Sequence, residues 1–137
     1  MQIWEDRKPP VMVASDGRLD PNSPASIAVV VLDGVSGSRT ALVAEIPQEL
    51  RDRWVDLNRS VKGLDKDHHY IALVEQAAIV MGVCHYIKQW HNRDIIWFCD
   101  NVVVLAGLAK GHNRTEEMDA GNATVQLMLA HARCRVW

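Results

Sequence analysis

Apolar positions in the first third of the chain fall in short, β-branched runs separated by turn residues. Val11-Met-Val-Ala-Ser-Asp16 is such a run, closed by a carboxylate and Gly17, and it predicts a first strand. Pro21, Asn22, Ser23 and Pro24 follow as turn chemistry. Ser26-Ile-Ala-Val-Val-Val-Leu32 predicts a second strand, and Asp33-Gly34 opens a hairpin connection through Gly37. Arg39-Thr-Ala-Leu-Val-Ala-Glu-Ile46 predicts a third, closed by Pro47, so the three form an antiparallel meander. Pro9-Pro10 stops regular structure before the first strand, which sets residues 1–10 apart as an N-terminal extension and leaves 11–137 as the domain.

The period then changes. Residues 48–57 predict a short helix begun after Pro47, with Leu50, Trp54 and Leu57 on one face. Residues 58–67 are polar, contain Gly63 and read as a loop. From His68 to about Trp90, Ile71, Val74, Ala78, Met81, Ile87 and Trp90 recur mostly at three- or four-residue steps, which predicts the longest helix, packed on the sheet. Asp94-Ile-Ile-Trp-Phe-Cys-Asp100 is short and apolar enough to predict a fourth, buried strand. A short helix over 102–109 stopped by Gly111, a helix from Thr115-Glu-Glu to about Ala132, and a fifth strand over 133–137 complete the order. The fold class is α/β: a mixed five-stranded sheet, three antiparallel strands followed by parallel ones, flanked by helices.

Composition narrows the function. With 137 residues, 48% of them hydrophobic and 23% charged, the chain has the makeup of one folded domain and excludes whole-chain disorder. No apolar run approaches the ~18 residues of a membrane span, and the N-terminus lacks a signal-peptide core, so the expected location is intracellular and cytoplasmic. Fifteen Lys and Arg against 17 Asp and Glu give a net charge of −2, without the strongly basic footprint that would advertise nucleic-acid binding. Cys84, Cys99 and Cys134 lack CxxC spacing and predict free thiols, not a disulfide framework or zinc ribbon. Trp54, Trp90 and Trp97 are expected in the core.

Three carboxylates carry the candidate chemistry. Asp16 ends the first strand and Asp100 the fourth, so they converge at one sheet edge if those strands are neighbours. Glu75 lies about two turns into the long helix, within Leu73-Val74-Glu75-Gln76-Ala77-Ala78. Among apolar neighbours it must be solvated, paired or bound to a cation, because burying it alone is costly. Converging carboxylates repel one another and raise each other's pKa. A divalent cation removes that penalty, and an oxygen-rich site suits Mg²⁺ or Mn²⁺. Two such ions about 4 Å apart activate a water and stabilise the leaving oxygen in phosphodiester cleavage. Each residue also has a plainer reading, Asp16-Gly17 as a turn and Asp100-Asn101 as a helix N-cap.

Asp-Gly after the first strand, a three-strand meander, Glu in the first long helix and Asp-Asn after the fourth strand together resemble the ribonuclease H family. Over roughly residues 10–137 the chain is most similar to the ribonuclease H-like domains of retroelement and viral reverse transcriptases. The segment Phe98-Cys-Asp100-Asn-Val-Val-Val-Leu-Ala-Gly-Leu-Ala-Lys110-Gly-His112 carries much of that likeness. The resemblance implies a metal-dependent endonuclease that cuts the RNA strand of an RNA–DNA hybrid beside the polymerase portion of a reverse transcriptase. It makes Asp16, Glu75 and Asp100 the catalytic, metal-binding acids, with Mg²⁺ or Mn²⁺ as cofactor. It also makes His112, Lys110, Arg114 and Asn101 the candidate substrate contacts.

Two departures shape the alternatives. The family's fourth acid lies on a final helix, and this sequence ends at Trp137 before one, as in a truncated or naturally shortened domain. The stretch between the third strand and the Glu75 helix is also longer than in compact members. A non-catalytic ribonuclease H-like module binding nucleic acid or protein is therefore the second reading, and a DNA-cleaving or strand-transferring relative is the third. The terminal strand Cys134-Arg-Val-Trp137 suggests a homodimer paired edge to edge; a strictly monomeric sedimentation profile at high concentration would count against it.

Overall fold

The computed structural model describes residues 8–19, 23–60, 66–101, 104 and 116–137. Strands β1 (Val11–Arg18), β2 (Ser26–Asp33) and β3 (Arg39–Glu45) form the antiparallel meander, followed by helices α1 (Gln48–Ser60) and α2 (Lys66–Tyr86). Strand β4 (Asp94–Phe98), helix α3 (Glu116–His131) and strand β5 (Arg135–Val136) complete the described elements. The sheet order is β3-β2-β1-β4-β5, with β1 parallel to β4 and β4 parallel to β5. This is the mixed five-stranded sheet expected, with β5 at its edge.

Side-chain alternation explains why these runs are strands. Val11, Val13 and Ser15 of β1, with Ile27, Val29 and Val31 of β2, point to one face and are buried. That face receives α2, whose Ala72, Leu73, Val74, Ala78, Ile79, Val83 and Tyr86 are buried. Because α2 is also flanked by α1 and α3, it is apolar on several sides and not along one stripe. Trp54 and Trp90 are buried in the same core and Trp97 packs against it, as expected.

Three expectations need correction. Of the loop predicted over 58–67, residues 58–60 and 66–67 are helical, because α1 continues to Ser60 and α2 begins at Lys66; no Pro or Gly falls between Leu57 and Ser60 to stop the helix, and the rest of that stretch lies outside the described residues. Strand β1 does not end at Asp16 but runs to Arg18, since β2 continues to supply partners as far as the Arg18–Ser26 pair. Strand β4 is not buried on both sides: Phe98 is exposed, and the sheet face away from α2 also exposes Met12, Val30, Leu32 and Val43. Apolar content alone did not distinguish a covered face from an open one.

The end of the sheet away from the candidate site is held by charge. Arg93, just before β4, forms a bidentate pair with Asp33 at the end of β2, with both N···O distances 3.1 Å. Its Nη2 also donates to the Pro9 carbonyl at 2.6 Å, which ties the entry of β1 to both neighbouring strands. The β2–β3 connection is closed by Gly37 N donating to Asp33 O, and Gly37 adopts φ +70°, which glycine accepts without steric cost.

Among the described residues, no helix is long and apolar enough to cross a membrane.

Candidate metal centre

Parallel pairing of β1 with β4 ends at Ala14 and Phe98, so the two strands part at the same end of the sheet while β1 continues along β2. Asp16 lies two residues beyond this pairing, and Asp100 two residues beyond β4. That convergence is the arrangement anticipated if the two strands were neighbours. Ser15, Asp16, Trp97, Phe98, Cys99 and Asp100 line an open cleft there. Its wall is fixed by the Trp97 indole N–H, which donates to Ser15 Oγ at 2.8 Å.

Glu75 reaches this end from α2 because Gly17 lets the helix come close. A Cβ added at Gly17 would stand 2.9 Å from Val74 Cγ1 and 3.0 Å from both Glu75 Cγ and Glu75 N. Real side chains do not tolerate that spacing, so Gly17 acts as the seat of α2 more than as a turn residue. Gly17→Val should therefore push α2 off β1, costing about 1–3 kcal/mol in denaturant unfolding. Divalent-ion affinity should fall with it; wild-type stability and affinity in the variant would contradict the seating role.

Glu75 is 8% exposed, and its Oε2 is enclosed with no hydrogen-bond partner among the described residues. Burial pushes its carboxyl up to about 7, helped by the negative charges of Asp100 and Asp16 and opposed by a hydrogen bond from the Asn101 side chain. A buried acceptor left unsatisfied is costly, so this carboxylate lacks a partner that the protein itself does not supply. An oxygen of Glu75, an oxygen of Asp100 and the Cys99 Sγ all lie within 4.8 Å of one another. Asp16 is outside that triplet among the described residues, its Oδ1 accepting from Gly17 N at 3.0 Å, yet it is near enough to act on Glu75 through charge. Buried donor chemistry and converging carboxylates fit a hard divalent cation held by Glu75 and Asp100, with Asp16 beside them.

Glu75 also imposes a pH dependence on the metal-free fold. Its folded pKa lies above the unfolded value, so the native state binds more protons between about 4.5 and 7 and stability falls as pH rises through that window. Glu75→Gln should accordingly raise the melting temperature in chelator at pH 8 by roughly 3–6 °C and leave it nearly unchanged at pH 4. An equal shift at both values would contradict the assignment.

The other candidate residues are distributed unevenly. Asn101 caps the helical turn at Val104, its Oδ1 accepting from Val104 N at 3.1 Å, so the cap reading and the contact with Glu75 hold together. His112, Lys110 and Arg114 lie outside the described residues. His68 and His69 fall in the first turn of α2. Lys88 is exposed in the turn beyond the far end of α2. Cys99 and Gly17 were not singled out from sequence; adjacency to Asp100 and Asp16 was the only signal for either.

Comparison with known proteins now has a geometry to meet. No protein-family model matches the chain, and no curated protein matches it in sequence. Solved structures do. RNase H1 from the halophilic archaeon Halobacterium salinarum superposes with a TM-score of 0.64 at 14% identity, covering 93% of this chain and 83% of that one. The N-terminal RNase H domain of a Mycobacterium tuberculosis protein, solved as a fusion with maltose-binding protein, gives 0.62 at 13% identity, covering 93% and 78%. An RNase H1 isolated from compost by a metagenomic approach gives 0.58 at 12% identity, covering 93% and 82%. At these identities the likeness is one of architecture, and the chain has the ribonuclease H fold.

Proposed function

We propose that the chain is a divalent-metal-dependent endonuclease that cuts the RNA strand of RNA–DNA hybrids, working beside the polymerase portion of a reverse transcriptase. The observation that carries this reading is the orphaned Glu75 oxygen, buried beside Asp100 and Asp16 where β1 and β4 run out. Similarity in fold to RNase H1 structures supports the substrate class. Mg²⁺ or Mn²⁺, when bound, supplies positive charge to the scissile phosphate and activates water.

The chain's own residues do the rest. Asp16 presents its carboxylate from β1 and Asp100 from just beyond β4, and the pairing of those two strands sets their spacing. Glu75 brings a third carboxylate from the helix and, with its pKa near 7, gives up a proton when a cation enters. Asn101 holds Glu75 by hydrogen bond and keeps the following helical turn beside Asp100. His112, Lys110 and Arg114, with Asn101, take the role of substrate contacts. Hybrid is read by helix shape and by 2′-hydroxyl and backbone contacts instead of base sequence.

The test is a panel of end-labelled RNA–DNA hybrid, duplex DNA and single strands incubated with Mg²⁺ or Mn²⁺. The expected outcome is cleavage of the RNA strand in the hybrid alone. Cutting of duplex DNA would move the chain to the DNA-cleaving relatives, and intact binding with no cutting would make it a nucleic-acid-binding module.

A further inference from the structure

Cys99 stands between β4 and Asp100 and shares the candidate metal centre without having a part in the function proposed above. Its Sγ lies within 4.8 Å of both a Glu75 oxygen and an Asp100 oxygen. A second, independent observation points to a ligand at the same place: Glu75 is nine-tenths buried and its Oε2 has no partner among the described residues. The described part of the domain thus offers one sulfur and two carboxylates to one small volume, where an all-oxygen site would have favoured hard ions such as Mg²⁺ and Mn²⁺. Ions such as zinc bind sulfur at about 2.3 Å and carboxylate oxygen at about 2.0–2.2 Å, so only modest side-chain rotation closes such a set.

We propose that Cys99, Glu75 and Asp100 form a mixed sulfur–oxygen site that takes a thiophilic divalent ion, zinc or cadmium, in competition with Mg²⁺ at the same carboxylates. The inference rests on the metal-centre reading and deepens it by assigning the site's ion preference. On binding, a sulfur–metal bond forms, the S–H bond breaks and the proton leaves to water, with no change of oxidation state. Soft sulfur contributes little to Mg²⁺, so Cys99 sets selectivity in favour of zinc-class ions while leaving the hard-ion function to the carboxylates.

Cd²⁺ is the probe, because thiolate coordination gives an ultraviolet charge-transfer band that oxygen ligands do not. Cys84 and Cys134 are also free, so the full chain carries Cys84→Ser and Cys134→Ser to remove their signal. One equivalent of Cd²⁺ is expected to produce the band, and Mg²⁺ in excess to diminish it. Cys99→Ser should abolish the band and weaken Cd²⁺ and Zn²⁺ binding by about tenfold or more, since even outer-shell changes cost ~10–100-fold. Mn²⁺ affinity by calorimetry should change less than about twofold in the same variant, because Mn²⁺ is served by oxygen ligands. If Mn²⁺ binds but Cd²⁺ gives no band, the sulfur ligand is refuted while the carboxylate centre stands. A Cys99-dependent band with no Mn²⁺ binding refutes the hard-ion function and leaves the soft site standing. A band that survives Cys99→Ser overturns the proposal. Should the Cys84/Cys134 replacements fail to fold, the difference spectrum between the wild type and Cys99→Ser alone carries the same decision.

Discussion

Asp100→Asn should abolish the proposed metal-dependent cleavage of an RNA–DNA hybrid while leaving the domain folded. Asparagine keeps the shape of the side chain and removes its negative charge at the one position where the strand end meets Glu75. A catalytic metal is worth several kcal/mol of transition-state stabilisation, so the loss should reach about 10³-fold in rate. The same change removes a repulsion acting on Glu75, so Glu75 should titrate lower than about 7 and the metal-free variant should melt no lower than wild type. A variant that has lost activity because it has lost its fold would instead melt early, and melting curves in chelator separate the two cases. Retention of wild-type cleavage would mean that Asp100 is an ordinary residue of the strand–helix passage.

Asp33→Asn is the largest expected effect on stability alone. It leaves the Arg93 guanidinium, 5% exposed, without its counter-ion, with an amide oxygen and the Pro9 carbonyl as its acceptors among the described residues and an amide NH₂ set against its other donor. Removing one partner of a buried pair costs about 3–5 kcal/mol, and the partial exposure of Asp33 places this case near 2–3 kcal/mol. The hydrogen bonds and charge of Arg93 hold the Asp33 carboxyl below its ordinary value of 3.8. A lowered folded pKa stabilises the fold above about 3.8, and that contribution fades as pH drops through the folded value. The gap between wild type and variant in urea unfolding should therefore be full at pH 7 and narrow as pH falls below 3.8. Arg93→Met should cost less than Asp33→Asn, because it leaves a carboxylate that is 17% exposed and still accepts from Val35 N. A difference below about 0.5 kcal/mol at pH 7 would show that water already screens the pair.

What the sequence made legible, and what it hid, follows the range of the interactions. Strands β1 to β3 were visible because alternation of Val and Ile with smaller or polar residues is a local signal, and Gly37 marked the hairpin. The acids were visible too: a carboxylate flanked by Leu73, Val74, Ala77 and Ala78 is anomalous on any apolar face. Their convergence rested on β1 and β4 being neighbours, which a linear pattern suggests only through topology. Hidden were features that depend on contacts between distant elements. Gly17 read as turn chemistry, since its true neighbours, Val74 and Glu75, belong to a helix nearly sixty residues away. Asp33 and Arg93, sixty residues apart, were not paired in the sequence reading. Cys99 looked like one of three unremarkable thiols until β4 and α2 placed it against two carboxylates. Strand β4 looked buried because its residues are apolar, yet only one sheet face is covered by α2.

The central claim is that Glu75 and Asp100, with Asp16 beside them, hold a divalent ion. Calorimetric titration of Mn²⁺ into the full chain, repeated in buffers of different ionisation enthalpy between pH 6 and 8, tests it most directly. Because Glu75 titrates near 7, binding should strengthen as pH rises through that value and should release a fraction of a proton that shrinks toward zero at pH 8. Glu75→Gln should remove both the pH dependence and the proton release. Absence of Mn²⁺ binding, or binding that is indifferent to pH and to Glu75, would contradict the metal centre and leave the three acids as ordinary strand, helix and cap residues.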